Sequence, residues 1–108
     1  MTCGPIPPNP AELLASKSMG TLIEQLKEMY DLIIFDAPPV LSVTDGQILA
    51  NKCEGTILVL NSGGTEKDMA LKAKEAIESS NSRLIGAVLN NYALAKDSHY
   101  YQYYGTTE

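Results

Sequence analysis

Three places in this 108-residue chain put chemically useful side chains where a ligand or a partner could meet them. The first is Asp36, which closes the apolar run Leu32-Ile33-Ile34-Phe35 and is followed by Ala37-Pro38-Pro39. A carboxylate leaving an apolar strand is costly to bury unless a cation or hydrogen-bond donors meet it. Apolar residues followed by Asp have the general form of a Walker B motif, whose acid serves the magnesium of a bound nucleotide. The other reading is an ordinary acid at a strand end. The second place is Asn90-Asn91, behind the apolar run Leu84 to Leu89. The third is the sequence Tyr100-Tyr101-Gln102-Tyr103-Tyr104, which has neither helical spacing nor clean alternation. A glycine pair, Gly63-Gly64, comes after a further apolar run, but Thr65-Glu66 comes next and no lysine stands where a phosphate loop needs one. It reads as a turn.

The elements that must position these groups can be read from periodicity. Pro5-Ile6-Pro7-Pro8 predicts an extended lead-in. Asn9-Pro10-Ala11-Glu12 has the form of a helix start, with Asn9 as cap and Glu12 in the capping-box position. A second helix is expected from Ser18 to Tyr30, with Met19, Leu22, Ile23, Leu26 and Met29 on one stripe. Tyr30 would close that core-facing helix. Leu32–Phe35, Thr56–Leu60 and Leu84–Leu89 predict three strands buried on both faces. Between them, Thr44 would cap a helix to about Asn51, with Gln47 at the capping-box position. Thr65 would cap another to about Ser80, with Met69, Ala73, Ala76 and Ile77 facing the core.

Strands alternating with helices imply parallel βαβ units with right-handed crossovers. The fold class is therefore α/β, a parallel sheet with helices on both faces. In such sheets ligands gather at the carboxyl ends of the strands, where Asp36, Ser62-Gly63-Gly64 and Asn90-Asn91 fall. From Ala93 the periodicity stops, so the chain divides into a folded part, 1–92, and a mobile tyrosine-rich tail, 93–108.

Composition narrows the function classes. The hydrophobic share is 44% and the charged share 19%, as in a globular protein. Net charge is −5 with eight Lys and Arg, and no basic cluster occurs, which argues against nucleic acid or an anionic membrane surface as partner. No apolar run approaches a membrane span, and Met1 to Pro10 lacks the features of a secretion signal, so a cytoplasmic location is expected. Cys3 and Cys53 lie far apart in sequence and read as reduced thiols. Cys53 reads as a packing residue, because the one histidine, His99, is in the tail and reads as solvated. Asp45 reads as a favourable acid in the first turn of a helix.

Taken in order, several segments resemble the bacterial tyrosine kinases of capsule and exopolysaccharide biosynthesis, P-loop proteins related to the MinD and ParA ATPases. They are Gly4 to Pro10 with Glu12-Leu13-Leu14, Tyr30 to Pro39, Val43-Thr44-Asp45, Gly55 to Val59, Gly86 to Asn90, and the tyrosine tail. The resemblance runs along nearly the whole chain and matches the C-terminal part of such a kinase, a Rossmann-like P-loop fold. Two positions depart from the family pattern. Ala37 stands where Thr is usual beside the metal site, and Gly46 stands where Ala is usual.

The resemblance implies a protein-tyrosine kinase that uses ATP and Mg2+. Asp36 would serve as catalytic and metal-binding acid, and Asn90 would approach adenine. Tyr100, Tyr101, Tyr103 and Tyr104 would accept phosphate in a neighbouring subunit's active site. It also implies a homo-oligomer, a membrane-spanning activator that recruits the kinase to the inner face of the plasma membrane, and a tyrosine phosphatase. The residues alone keep other readings open: an Asn-Asn turn at Asn90-Asn91, or an aromatic tail that docks on a neighbour. The family carries its G-x-x-x-x-G-K-[ST] loop and a further acidic motif before the Gly-Pro-Ile-Pro-Pro segment with which this chain opens. This chain alone is therefore not expected to hold ATP. Two rivals remain: an inactive phosphoacceptor or docking module for an intact kinase, and a fragment of a ParA/MinD-like ATPase.

Overall fold

The computed structural model describes residues 4–93. Cys3, His99 and the tail tyrosines Tyr100, Tyr101, Tyr103 and Tyr104 lie outside the described residues. The element order is α1 (Pro10–Leu14), α2 (Lys17–Met29), α3 (Asp45–Lys52), β1 (Thr56–Asn61), α4 (Lys67–Ser79) and β2 (Leu84–Asn90).

Each helix forms for a local reason. Pro10 occupies the first turn of α1, and the Asn9 carbonyl accepts from Leu13 N–H at 3.2 Å. The Asn9 side chain does not cap; its Nδ2 donates instead to Glu12 Oε2 at 3.3 Å. Ser16 caps α2, its Oγ accepting from Met19 N–H at 3.2 Å. On the stripe foreseen for α2, Ile23 is buried and Leu22 and Leu26 half-buried. Met29 and Tyr30 are exposed, Tyr30 at 56%, so Tyr30 does not close a core-facing helix. Its backbone has already left the helix, with an extended conformation at the C-cap. Thr44 precedes α3 without a side-chain cap, while Leu49 and Ala50 are buried. Helix α4 begins two residues after Thr65, because Thr65 is engaged in the turn before it. Ala73 and Ile77 are its buried positions, 7% and 3% exposed.

Strands β1 and β2 pair in parallel with α4 as the crossover, so the α/β class holds. In register, Val59 stands beside Val88, Leu58 beside Ala87 and Asn61 beside Asn90. Along β1 exposure alternates: Thr56, Leu58 and Leu60 are half-buried toward α4, and Ile57 and Val59 are 56% and 62% exposed. Val88, on the same side as Val59, is half exposed. Helix α4 thus half-covers one side of β1, while β2 is exposed on both sides from Ile85 onward, Leu89 beside Leu60 included, so neither strand is buried on both faces as expected.

The first apolar run departs from expectation. Leu32–Phe35 does not form a strand, and Leu32 and Ile34 are 75% and 82% exposed. A strand buried on both faces exists only where neighbours supply ladder partners and covering layers. Among the described residues, β1 pairs with β2 and nothing pairs with this run.

Candidate functional site

The carboxyl ends of β1 and β2 meet in a small polar cluster. Asn61 ends β1, and its carbonyl accepts from Gly64 N–H at 3.1 Å and Thr65 N–H at 2.9 Å. Its own N–H donates to Thr65 Oγ1 at 3.0 Å, so the turn after β1 is closed from both sides. Gly63 has φ +76°, a conformation that favours glycine. A Cβ on Gly64 would collide with the Asn61 side-chain amide. The glycine pair is a tight turn, as its lack of a following lysine suggested.

Asn90 ends β2 beside Asn61, exposed, with its carbonyl accepting from Ser62 N–H at 2.8 Å. Asn91 has φ +55°, the left-handed conformation of an Asn-Asn turn. Its Nδ2 donates to Asn61 Oδ1 at 2.8 Å. The strand ends therefore bring together Asn90, foreseen as a base-facing residue, and an Asn61–Asn91 amide pair that sequence reasoning missed. A polar residue closing an apolar run was the available signal at Asn61, the same signal that singled out Asp36.

Asp36 is exposed in the unpaired stretch after the first apolar run. No hydrogen bond or ion pair joins it to the asparagine cluster among the described residues. Downstream, Ser42 N–H donates to the Pro39 carbonyl at 3.0 Å, turning the chain into α3. A Cβ at Gly46 would lie 3.4 Å from the Pro38 carbonyl and 3.7 Å from Val40 Cα, ordinary van der Waals contact, so the alanine usual in the resembled family would fit here.

Asp36 is a single carboxylate, and no group of three or more His, Cys, Asp or Glu side chains could hold a metal among the described residues. A shallow depression of about 430 Å³ is lined by Ala15, Thr44, Gln47, Ile48, Asn51, Lys52 and Ser80. It includes Ser80, the residue after α4, and none of Asp36, Asn61 or Asn90. Asn51 Nδ2 donates there to the Ser80 carbonyl at 2.9 Å, which ties α3 to the end of α4. Cys53 is half-buried, and burial pushes its thiol pKa up, away from nucleophilic chemistry. No helix among the described residues is long and apolar enough to cross a membrane.

No protein-family model matches the chain. Individual proteins do. The chain is 53% identical over all 108 residues to the tyrosine-protein kinase YwqD of Bacillus subtilis, covering 45% of it. It superposes on the VpsO kinase domain with a TM-score of 0.77 and 31% identity, covering 83% of this chain and 44% of that one. With the chimerical protein CapA2B2 the TM-score is 0.75 at 42% identity, covering 80% of this chain and 38% of that one. The chain spans less than half the length of these relatives.

Proposed function

As a homologue of the bacterial tyrosine-protein kinases, this chain is, we propose, the C-terminal part of an ATP-dependent protein-tyrosine kinase that regulates capsule or exopolysaccharide synthesis. The observation that carries the reading is the identity to YwqD along the whole chain. The chain would supply one part of the active site. Asp36 would be its metal-binding and catalytic acid, acting on the Mg2+ of ATP, and Asn90 would face the adenine. The phosphate cradle has no counterpart in these residues and would belong to the kinase half that this chain does not match.

Residues 1–92 would form the folded part and 93–108 the tail, with Tyr100, Tyr101, Tyr103 and Tyr104 as phosphoacceptors. Each phosphate would add about −1.5 to −2 charges, to a chain that already carries −5. Modified tails would repel one another and loosen an assembly held by tail docking. Homo-oligomerisation, a membrane-spanning activator that brings the cytoplasmic kinase to the inner face of the plasma membrane, and a tyrosine phosphatase complete the reading. A second reading is a phosphoacceptor or docking module for an intact kinase.

Both are tested by incubating the chain with intact YwqD, ATP and Mg2+ and mapping phosphate by mass spectrometry. Phosphate is expected within Tyr100 to Tyr104. Tyr30 is exposed and not shielded by burial, although its backbone N–H is anchored to the Leu26 carbonyl at 2.9 Å. Phosphate on Tyr30 with none on the four tail tyrosines would sink the phosphoacceptor reading.

A further inference from the structure

Asn61 and Asn90 stand side by side at the ends of the two strands, and Asn91 follows directly. Each of the three amides is placed by the group before it. Gly64 comes first: a Cβ there would collide with Asn61 Nδ2, so the glycine leaves the space that the Asn61 carboxamide fills. The Gly64 and Thr65 N–H groups meanwhile hold the Asn61 carbonyl, and Thr65 Oγ1 holds its N–H. Asn61 Oδ1 then accepts from Asn91 Nδ2 at 2.8 Å, across 30 residues of chain. Asn91 is thereby tied to β1 while its backbone sits at φ +55°, a conformation few side chains adopt. Asn90 is the exception. Its carbonyl accepts from Ser62 N–H, but its exposed carboxamide makes no hydrogen bond among the described residues. One uncommitted amide thus lies beside a bonded pair, at the carboxyl ends of parallel strands where ligands of such sheets gather.

We propose that Asn61 is a positioning residue for base recognition: through Asn91 it fixes the turn from which Asn90 presents its carboxamide. The inference rests on the kinase reading, in which Asn90 faces adenine, and adds the residues that aim it. A carboxamide sets a donor next to an acceptor, the pattern that matches the amino group and adjacent ring nitrogen of adenine. An amide on a loose turn must be ordered when the base arrives, whereas one on a clasped turn has less freedom to lose. The clasp itself is exposed and neutral, so its effect falls on the direction of Asn90 more than on folding. Thr65 cannot replace it, because Thr65 holds the end of β1 and does not reach Asn91.

Two measurements test this. In nuclear magnetic resonance spectra of the full chain, Asn61→Leu removes the acceptor, and Gly64→Ala pushes the amide aside while leaving its chemistry in place. Both should speed exchange of the Asn91 side-chain amide and loosen the backbone at 90–91. Asn61→Asp keeps an oxygen for Asn91 Nδ2 and should hold the turn. The second measurement uses a chimera in which this chain replaces the part of YwqD that it matches. There Asn61→Leu and Gly64→Ala should each raise the dissociation constant of ATP by about three- to tenfold, the worth of one hydrogen bond, and Asn61→Asp should restore most of it. Binding of inorganic triphosphate, which carries no base, should not change. A turn that stays equally rigid in Asn61→Leu would overturn the proposal, since Asn91 would then hold its conformation unaided. So would unchanged ATP affinity in the chimera, or triphosphate binding that weakens in step with it. The kinase reading fails separately. A chimera that binds neither ATP nor triphosphate counts against that reading, and the spectra of the chain still decide the clasp.

Discussion

Leu32-Ile33-Ile34-Phe35 and Ile57-Leu58-Val59-Leu60 are almost interchangeable as sequences, yet only the second is a strand. Both are short apolar runs that end on a polar residue, Asp36 in one and Asn61 in the other. The difference lies downstream of them. Behind β1 come a tight turn, a helix with Ala73 and Ile77 buried, and a second apolar run in parallel register, so the unit carries its own pairing and a helix that half-buries one side of β1. Behind the first run come two prolines and a turn into α3, and its exposed side chains alternate with half-buried ones without a ladder. Apolar composition specifies a strand that is buried on both faces only where the chain also supplies neighbours.

That contrast can be broken by substitution. Ile77→Ala removes the most buried side chain of the covered unit, 3% exposed, and should cost about 2 to 5 kcal/mol in urea unfolding. The matched change Ile34→Ala, at 82% exposure, should stay within about 0.5 kcal/mol. Equal losses at the two sites would mean that the first run is packed after all. A smaller effect tests whether the helical layer shares in the same cooperative transition. Ser16→Ala removes the Oγ that accepts from Met19 N–H and should cost about 1 kcal/mol. Circular dichroism that shows α2 melting apart from the β1–α4–β2 unit would separate the two regions. The smallest effect is expected inside the paired region, where Thr56 Oγ1 is buried without a hydrogen-bond partner. Thr56→Val leaves no such group behind and should be neutral or stabilising by up to about 1 kcal/mol. A clear loss would show that the hydroxyl has a partner in solution.

The sequence was most legible where local signals and tertiary pairing agree. The period change at Thr56 and Leu84 located β1 and β2 to within a residue, and of the stripe expected on α4 Ala73 and Ile77 are buried while Met69, in the first turn, is 45% exposed. Caps were less legible. Asn9, Thr44 and Thr65 have suitable side chains, but Asn9 donates to Glu12, Thr44 makes no cap and Thr65 closes the turn after β1. Side chains able to cap can also bond locally in other ways, and the competition is settled by loop geometry that sequence does not show. Of the candidate site, Asn90 was found through its place behind an apolar run, whereas Asn61 was not, because its relation to Asn91 spans the crossover. Asp36 was singled out on the premise that its run is a strand, and among the described residues that run has no ladder partner.

The Asn51–Ser80 hydrogen bond joins the end of α3 to the end of α4 across a long stretch of sequence. Its loop is no longer than the one that closes the strand pair, 29 residues against 30 for Asn61–Asn91, so the two closures carry a similar entropy cost. The bond is thus a second clasp of the same span, and it holds α3 to the βαβ unit at the end of the crossover helix without calling on the strand ladder.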